Sequence, residues 1–416
     1  MPANPIRRWL VLTCCVIINL CIGANYAWSV FQKPLMDAFG WSTSATSLVF
    51  TISSGVVPIA MIFAGRIQDR IGPNKVVFIG GLCFGAGVIA SGFTNSLGMT
   101  YATYGILGGI GIGTTYACTV ANTVKLFPDR RGLASGLVVA GFGSGAVLFA
   151  PLATWLIGAY GVLAAFKILG IGYLILIPTL SLFIQAAPVG YAPPGWTPPA
   201  SSTPSVTTVH KDWKQMLSDP RFYLLWCLYA LGTISGLMII AHASPIGQEV
   251  IRLSPQSAAV AISILALANT GGRIFWGWVS DKIGRLGTVV MMFVLGGAAM
   301  LTLPNVSGFG AFAMVLIIVG LCFGGFMGIF PSITADTFGS KHLGMNYGVM
   351  FTAFGMAAFV GPRLAAVVKE AHQGDYAWAF LIAAALSLVG IVLTLFLVFS
   401  SAAIQKRMRN ASQSTS

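Results

Sequence analysis

Twelve stretches of roughly 20 residues, each nearly free of charge, follow one another along the chain. They cover residues 9–30, 45–64, 76–93, 99–120, 133–157, 164–183, 222–242, 257–279, 289–303, 312–334, 347–368 and 377–399. A backbone inside hydrocarbon finds no water to bond, so stretches of this kind are confined to helices that satisfy their own N–H and C=O groups. Composition agrees. Of 416 residues 56% are hydrophobic and 8% charged, against about 25% charged in a soluble domain. The expectation is an all-α membrane protein of twelve transmembrane helices. The first stretch outruns a signal-peptide core and lacks a small-residue cleavage site in the right place, so it counts as a span.

The spans fall into two sets of six. Between them the run APVGYAPPGWTPPASSTPSVTT, from Ala187, is rich in Pro, Ser and Thr. Proline removes a backbone donor and breaks helices, so this reads as a linker. The predicted organisation is a six-helix bundle over 1–186, a linker at 187–218, and a second six-helix bundle over 219–416 with a basic tail. An internal repeat supports two halves. GRIQDRIG at 65–72 is matched 212 positions later by GWVSDKIG at 277–284, and Gly136 and Gly348 keep the same offset. Both octets close the second span of their half, as expected of a duplicated transporter. The seven cysteines lie inside spans without CxxC spacing, so they read as packing residues and no metal site is expected.

The net charge of +13 sits in short clusters between spans, so orientation in the membrane explains it better than nucleic acid does. With a cytoplasmic N-terminus, seventeen of the 23 Lys and Arg face the cytoplasm, and Lys33, Arg252 and Lys369 face outward. That bias places both termini and the linker in the cytoplasm of a multi-pass protein of the cell (inner) membrane.

One charge stands inside a span. Arg273 is the sole ionisable residue of 263–279. An arginine near the bilayer centre costs about 2.5–3.5 kcal/mol on the mildest scale and is kept where it faces protein, water or ligand. It precedes Asp281 by eight residues, about 12 Å along a helix, near the midplane where transporters bind substrate. A guanidinium offers a planar fork that grips a carboxylate at two points. A structural lock onto a helix end or a carbonyl is the bland alternative.

The octet turns set Asp69 with Arg70, and Asp281 with Arg285, where a helix leaves the membrane. An acid there can pair with bases or cap a helix of the other bundle, which makes these residues gating candidates. Arg130 and Arg131, between spans 4 and 5, join them. The loop resembles the hallmark of the major facilitator superfamily, and the resemblance covers the whole chain. It implies the major facilitator fold and alternating access.

Further motifs narrow the resemblance. NYAWSVF at 25–31, KLFPDRRGLASG at 125–136, PPGWTP at 193–198 and GRIFWGWVSDKIGR at 272–285 together resemble the oxalate/formate antiporter family, which is similar to the monocarboxylate transporters. In that family an arginine at the position of Arg273 binds the substrate carboxylate. Oxalate-type members carry a second cation, a lysine, in span 11. Here FTAFG at 351–355 puts Phe354 in its place. One cation beside an aromatic suits a monoanion with an apolar end. Lactate, pyruvate or formate is therefore the expected substrate class, with oxalate/formate-type exchange as the alternative.

Other candidates follow from position. Asn269 lies one turn before Arg273 on the same face. It can hold the guanidinium or reach substrate, and an aspartate often stands there in the monocarboxylate transporters. The resemblance implies pocket roles for Tyr26 and Asn25 in span 1 and for Phe323 and Met327 in span 10. Tyr116 and Thr114 bring hydroxyls into the glycine-rich span 4. Helix packing is the ordinary alternative for every aromatic.

No Asp or Glu lies mid-span, and His242 near the outer end of span 7 reads as interfacial. Proton symport and anion exchange both stay open. A drug or cation exporter of this fold needs a buried acid. A sensor needs a signalling domain, and an enzyme needs a nucleophile–base or metal cluster. GGIGIG at 108–113 lacks the strand–turn–helix setting of a nucleotide loop. The expected protein is a monomer and not an enzyme, without a cofactor, whose partners are a small carboxylate, a proton in the symport case, and the bilayer.

Overall fold

The computed structural model describes residues 7–188, 191–194, 196, 210–373 and 375–413. Among them all regular structure is helical and no strand occurs. The first six rods are α1 (Arg8–Phe39), α2 (Thr43–Ile71), α3 (Pro73–Ser91), α4 (97–126), α5 (Arg131–Tyr160) and α6 (Val162–Ser181). The second six are α7 (Pro220–Pro245), α8 (Pro255–Ile283), α9 (Arg285–Thr302), α10 (Phe309–Phe338), α11 (Leu343–Ala371) and α12 (Ala377–Gln413).

Eleven helices among the described residues are long and apolar enough to cross a membrane. The twelfth expected span, α4, is helical throughout but in three pieces. A short turn at Leu97–Thr100 leads into wide π-helical turns at Tyr101–Gly108, and regular α-helix resumes at Gly109–Leu126. Such turns are rare and collect at functional sites. Of the sequence-predicted linker, residues 189, 190, 195 and 197–209 lie outside the described residues.

Local chemistry sets the helix ends. Ser42, Ser96 and Ser254 each accept a backbone N–H three residues on, and Asp219 accepts that of Arg221, which satisfies first-turn donors. The repeat is written into the backbone as well. Gly72 and Gly284, 212 positions apart, both adopt φ 90° and ψ 155°, a region that L side chains avoid. Each reverses the chain between the second and third rods of its half, with α3 entering at Pro73 and α9 at Arg285.

The chain packs into two compact units. Of the described residues, the first holds those up to Trp196 with His210–Trp213 and Phe338–Thr352, and the second holds Lys214–Thr337 and those from Ala353 onward. Within the first unit, Lys211 N–H donates to the Phe338 carbonyl and Asn346 Nδ2 to that of Lys211. A side chain at Gly65 would collide with the backbone of Gly344 and Met345. Asn122 bridges the chain leaving α6, donating to the Gln185 carbonyl and accepting from Ala187 N–H.

Candidate functional site

Arg273 is 1% exposed, an extreme degree of burial for a guanidinium. Its Nε donates to Asn269 Oδ1 at 3.4 Å, one turn earlier on α8. The sequence buries this turn by bringing α10 against it. Gly320 faces Leu265 and Ala268, Gly324 faces the Asn269 backbone, and Gly328 faces that of Arg273. Small residues four apart let two helices touch through their backbones. Trp276 follows on the same stretch, 3% exposed, and is covered by Gly325.

Met327 and Phe323 are buried between α10 and α7. Tyr229 Oη donates to Met327 Sδ at 3.3 Å and its ring stacks on Phe330 at 4.1 Å. Phe323 packs over Gly236. Phe354 is half-buried on α11. At the end of α8, Arg285 clasps Asp281 at 2.6 Å, Ser280 Oγ at 2.6 Å and, from α10, Asp336 at 2.8 Å.

In the first unit, α1 is interrupted by a tight turn at Gly23–Ala27. Its backbone presses on α5, where a side chain at Gly23 would meet Phe142 and one at Gly145 would meet Gly23. The turn orients two adjacent residues differently. Asn25 points inward and accepts from Ser53 Oγ of α2 at 3.2 Å, while Tyr26 is 37% exposed. The Tyr26 ring meets Phe142 edge-on at 5.1 Å, Phe142 lies 5.2 Å from Tyr116, and Tyr116 lies 5.7 Å from Phe351. Below this aromatic row Asn19 Nδ2 donates to Thr119 Oγ1 at 2.8 Å. Thr114 stands apart. Two residues before Tyr116, it is about 200° away around the helix and lines an apolar groove with Ile59 and Phe63.

At one end of this unit Lys125 Nζ donates to Asp69 at 3.3 Å and to the Lys341 carbonyl at 3.1 Å, with His342 Nδ1 3.7 Å from Asp69. Arg70 is exposed and takes no part in these contacts. Asp129 receives two hydrogen bonds from Arg8, at 2.6 and 3.1 Å. Arg130 stands 3.8 Å away and largely exposed, and Arg131 opens α5.

The family model of the Major Facilitator Superfamily matches residues 12–362 and 253–413. The chain belongs to the Major Facilitator Superfamily. Among curated relatives of this facilitator, the "Oxalate:formate antiporter" of Oxalobacter formigenes is 31% identical over 94% of this chain and 92% of the relative. "Monocarboxylate transporter 13" of Rattus norvegicus is 24% identical over 92% and 87%. Among solved structures, the human organic anion transporter MFSD10 aligns with a TM-score of 0.71 at 15% identity, covering 94% of this chain and all of that one. The proton:xylose symporter XylE aligns at 0.65 and 14%. These two share the fold.

Within the facilitator, the structure places Arg273 with Asn269, and Tyr26 with Tyr116 through Phe142. Thr114 is set apart from them. Sequence reasoning missed Phe142 and Phe351, the residues that link the tyrosines. It missed Lys125 and Asp336, which hold the acid and base of the two octet turns, and also the pairing of Arg8 with Asp129. Phe351 carried one signal, its i,i+4 spacing from Tyr347, whose ring it meets at 5.7 Å.

Proposed function

We propose that this facilitator is a secondary active transporter of small monocarboxylates of the lactate, pyruvate or formate class. The observation that carries the reading is the burial of Arg273 beside Asn269 in an apolar rod. A guanidinium taken out of water needs an anionic or strongly polar partner, and a carboxylate matches its fork. The activities for which the antiporter and monocarboxylate relatives are named support a small carboxylate as cargo. Arg273 grips the carboxylate, Asn269 holds the Nε edge of the guanidinium, and Phe354 faces the apolar end of the substrate. The protein works by alternating access, as proton symporter or anion exchanger, in the cell membrane with both termini cytoplasmic. The octet turns and Arg130 and Arg131 belong to its gate.

The second reading is oxalate/formate exchange, favoured by the 31% identity to an oxalate:formate antiporter. Phe354 weighs against it, because oxalate would bury a second carboxylate with no cation in the lysine's place. A buried charge that loses its partner costs about 3–5 kcal/mol. Proteoliposome counterflow of labelled lactate tests both readings. Lactate enters and unlabelled oxalate competes weakly on the first reading, while dominance of oxalate establishes the second. Arg273→Lys keeps the charge but loses the fork, and counterflow falls at least roughly tenfold. Full activity in this variant rejects the clamp.

A further inference from the structure

The groove that contains Thr114 lies on the face of α4 turned away from Tyr116. It is an open trough of about 470 Å³ between α2, α3 and α4, walled by Ile59, Phe63, Ile67, Ile79 and Ile110. Its floor is Ala60 and Ala64, and Gly113 lets α4 close on Ala60. Val56 and Ile67, which bound it along α2, are eleven residues apart. That is about 16 Å of helix, roughly half of a 30 Å hydrocarbon core.

The apolar stripe of the trough runs into charge. Phe63, Arg66, Ile67 and Arg70 follow i, i+3, i+4, i+7 spacing, one face of α2. Lys75 is one turn before Ile79 on α3. Arg66, Arg70 and Lys75 are all exposed, and among the described residues none forms an ion pair. The neighbouring acid, Asp69, is occupied by Lys125 and His342. The octet turn does not require this cluster. The positions 212 later are Trp278, Lys282 and Gly287, one cation instead of three, and Lys282 rests over the Trp278 ring at 5.3 Å.

We propose that the trough with Arg66, Arg70 and Lys75 is a binding site for one anionic phospholipid of the surrounding bilayer. An acyl chain lies along Ile59, Phe63 and Ile67, and the phosphate sits among the three cations at the turn. Basic residues at the end of an apolar surface attract anionic headgroups, and the groove length matches a single leaflet. The three equivalent positions of the second half present no such end.

Native mass spectrometry of the full chain, with phosphatidylglycerol and phosphatidylcholine of identical acyl chains supplied in equal amounts, tests this. The wild type retains one phosphatidylglycerol in preference to phosphatidylcholine by roughly tenfold. Arg66→Gln/Arg70→Gln/Lys75→Gln brings the preference to within about twofold, and Ile59→Trp, which fills the trough, removes one bound lipid of either kind. Because Arg70 belongs to the gating turn, Arg66→Gln/Lys75→Gln provides a second variant that leaves that residue in place, and it loses most of the preference. Equal retention of the two lipids by the wild type, or a preference that survives both charge variants, overturns the proposal. Displacement of phosphatidylglycerol by equimolar inorganic phosphate overturns it as well, since the site would then be a bare anion site.

Discussion

A methyl group on Gly328 would stand 2.6 Å from the carbonyl oxygen of Arg273. Arg273 and the helix that covers it are therefore in backbone contact, and the position of the guanidinium depends on α10 carrying no side chain there. Gly328→Val forces α10 off this turn. Overpacking of this kind costs about 1–3 kcal/mol. A lower Tm in detergent and weaker lactate counterflow are expected, while Gly310→Val, where a side chain meets nothing within 4 Å, leaves both near wild type.

Phe354→Lys restores a cation to α11. If charge number selects the substrate, this variant gains oxalate competition in counterflow while losing lactate uptake. A rise of roughly tenfold in the oxalate-to-lactate ratio corresponds to about 1.4 kcal/mol of new discrimination. An unchanged ratio counts against selection by charge number.

Arg8 and Asp129 form a two-point pair with little exposure, and the Arg8 guanidinium also lies 4.7 Å from the centre of the Phe127 ring. A thermal double-mutant cycle with Arg8→Met and Asp129→Asn should give a coupling energy of about 1–3 kcal/mol. A value near zero would mean that the pair is ornamental.

His210 has its pKa lowered below the ordinary histidine value by desolvation, then by the nearby charges of Lys341, His342 and Lys125. The folded state therefore binds this proton less readily than the unfolded state. Stability rises with pH through the interval below the ordinary value of about 6.5 and is lost as pH falls through it. A small drop in Tm between pH 7.5 and 5.5 is expected, and His210→Gln should reduce that drop.

Much of the architecture was legible because it rests on short-range physics. Hydropathy marks the rods, Pro and Gly mark their ends, and the lone charge of Arg273 in its apolar stretch marks a residue that the fold buries. The π-helical turns of α4 were not legible, because their wide hydrogen bonds depend on packing around Tyr101–Gly108 and not on its composition. The partners of Asp69 were hidden for another reason. Lys125 lies 56 residues away and His342 lies in the other half of the chain, and charge pairing over such separations is decided by the fold. Thr114 is different again. The pitch of a helix alone sets it opposite Tyr116, so the two hydroxyls face different surroundings.

The seam of the polypeptide and the seam of its packing are different lines. Duplication divides the chain near the linker, yet Phe338–Thr352, from the second copy, packs with the first. A fragment ending before residue 210 would leave the Gly65 turn without Gly344 and Met345 against it. The surface of the first half is therefore completed by residues translated more than a hundred positions later.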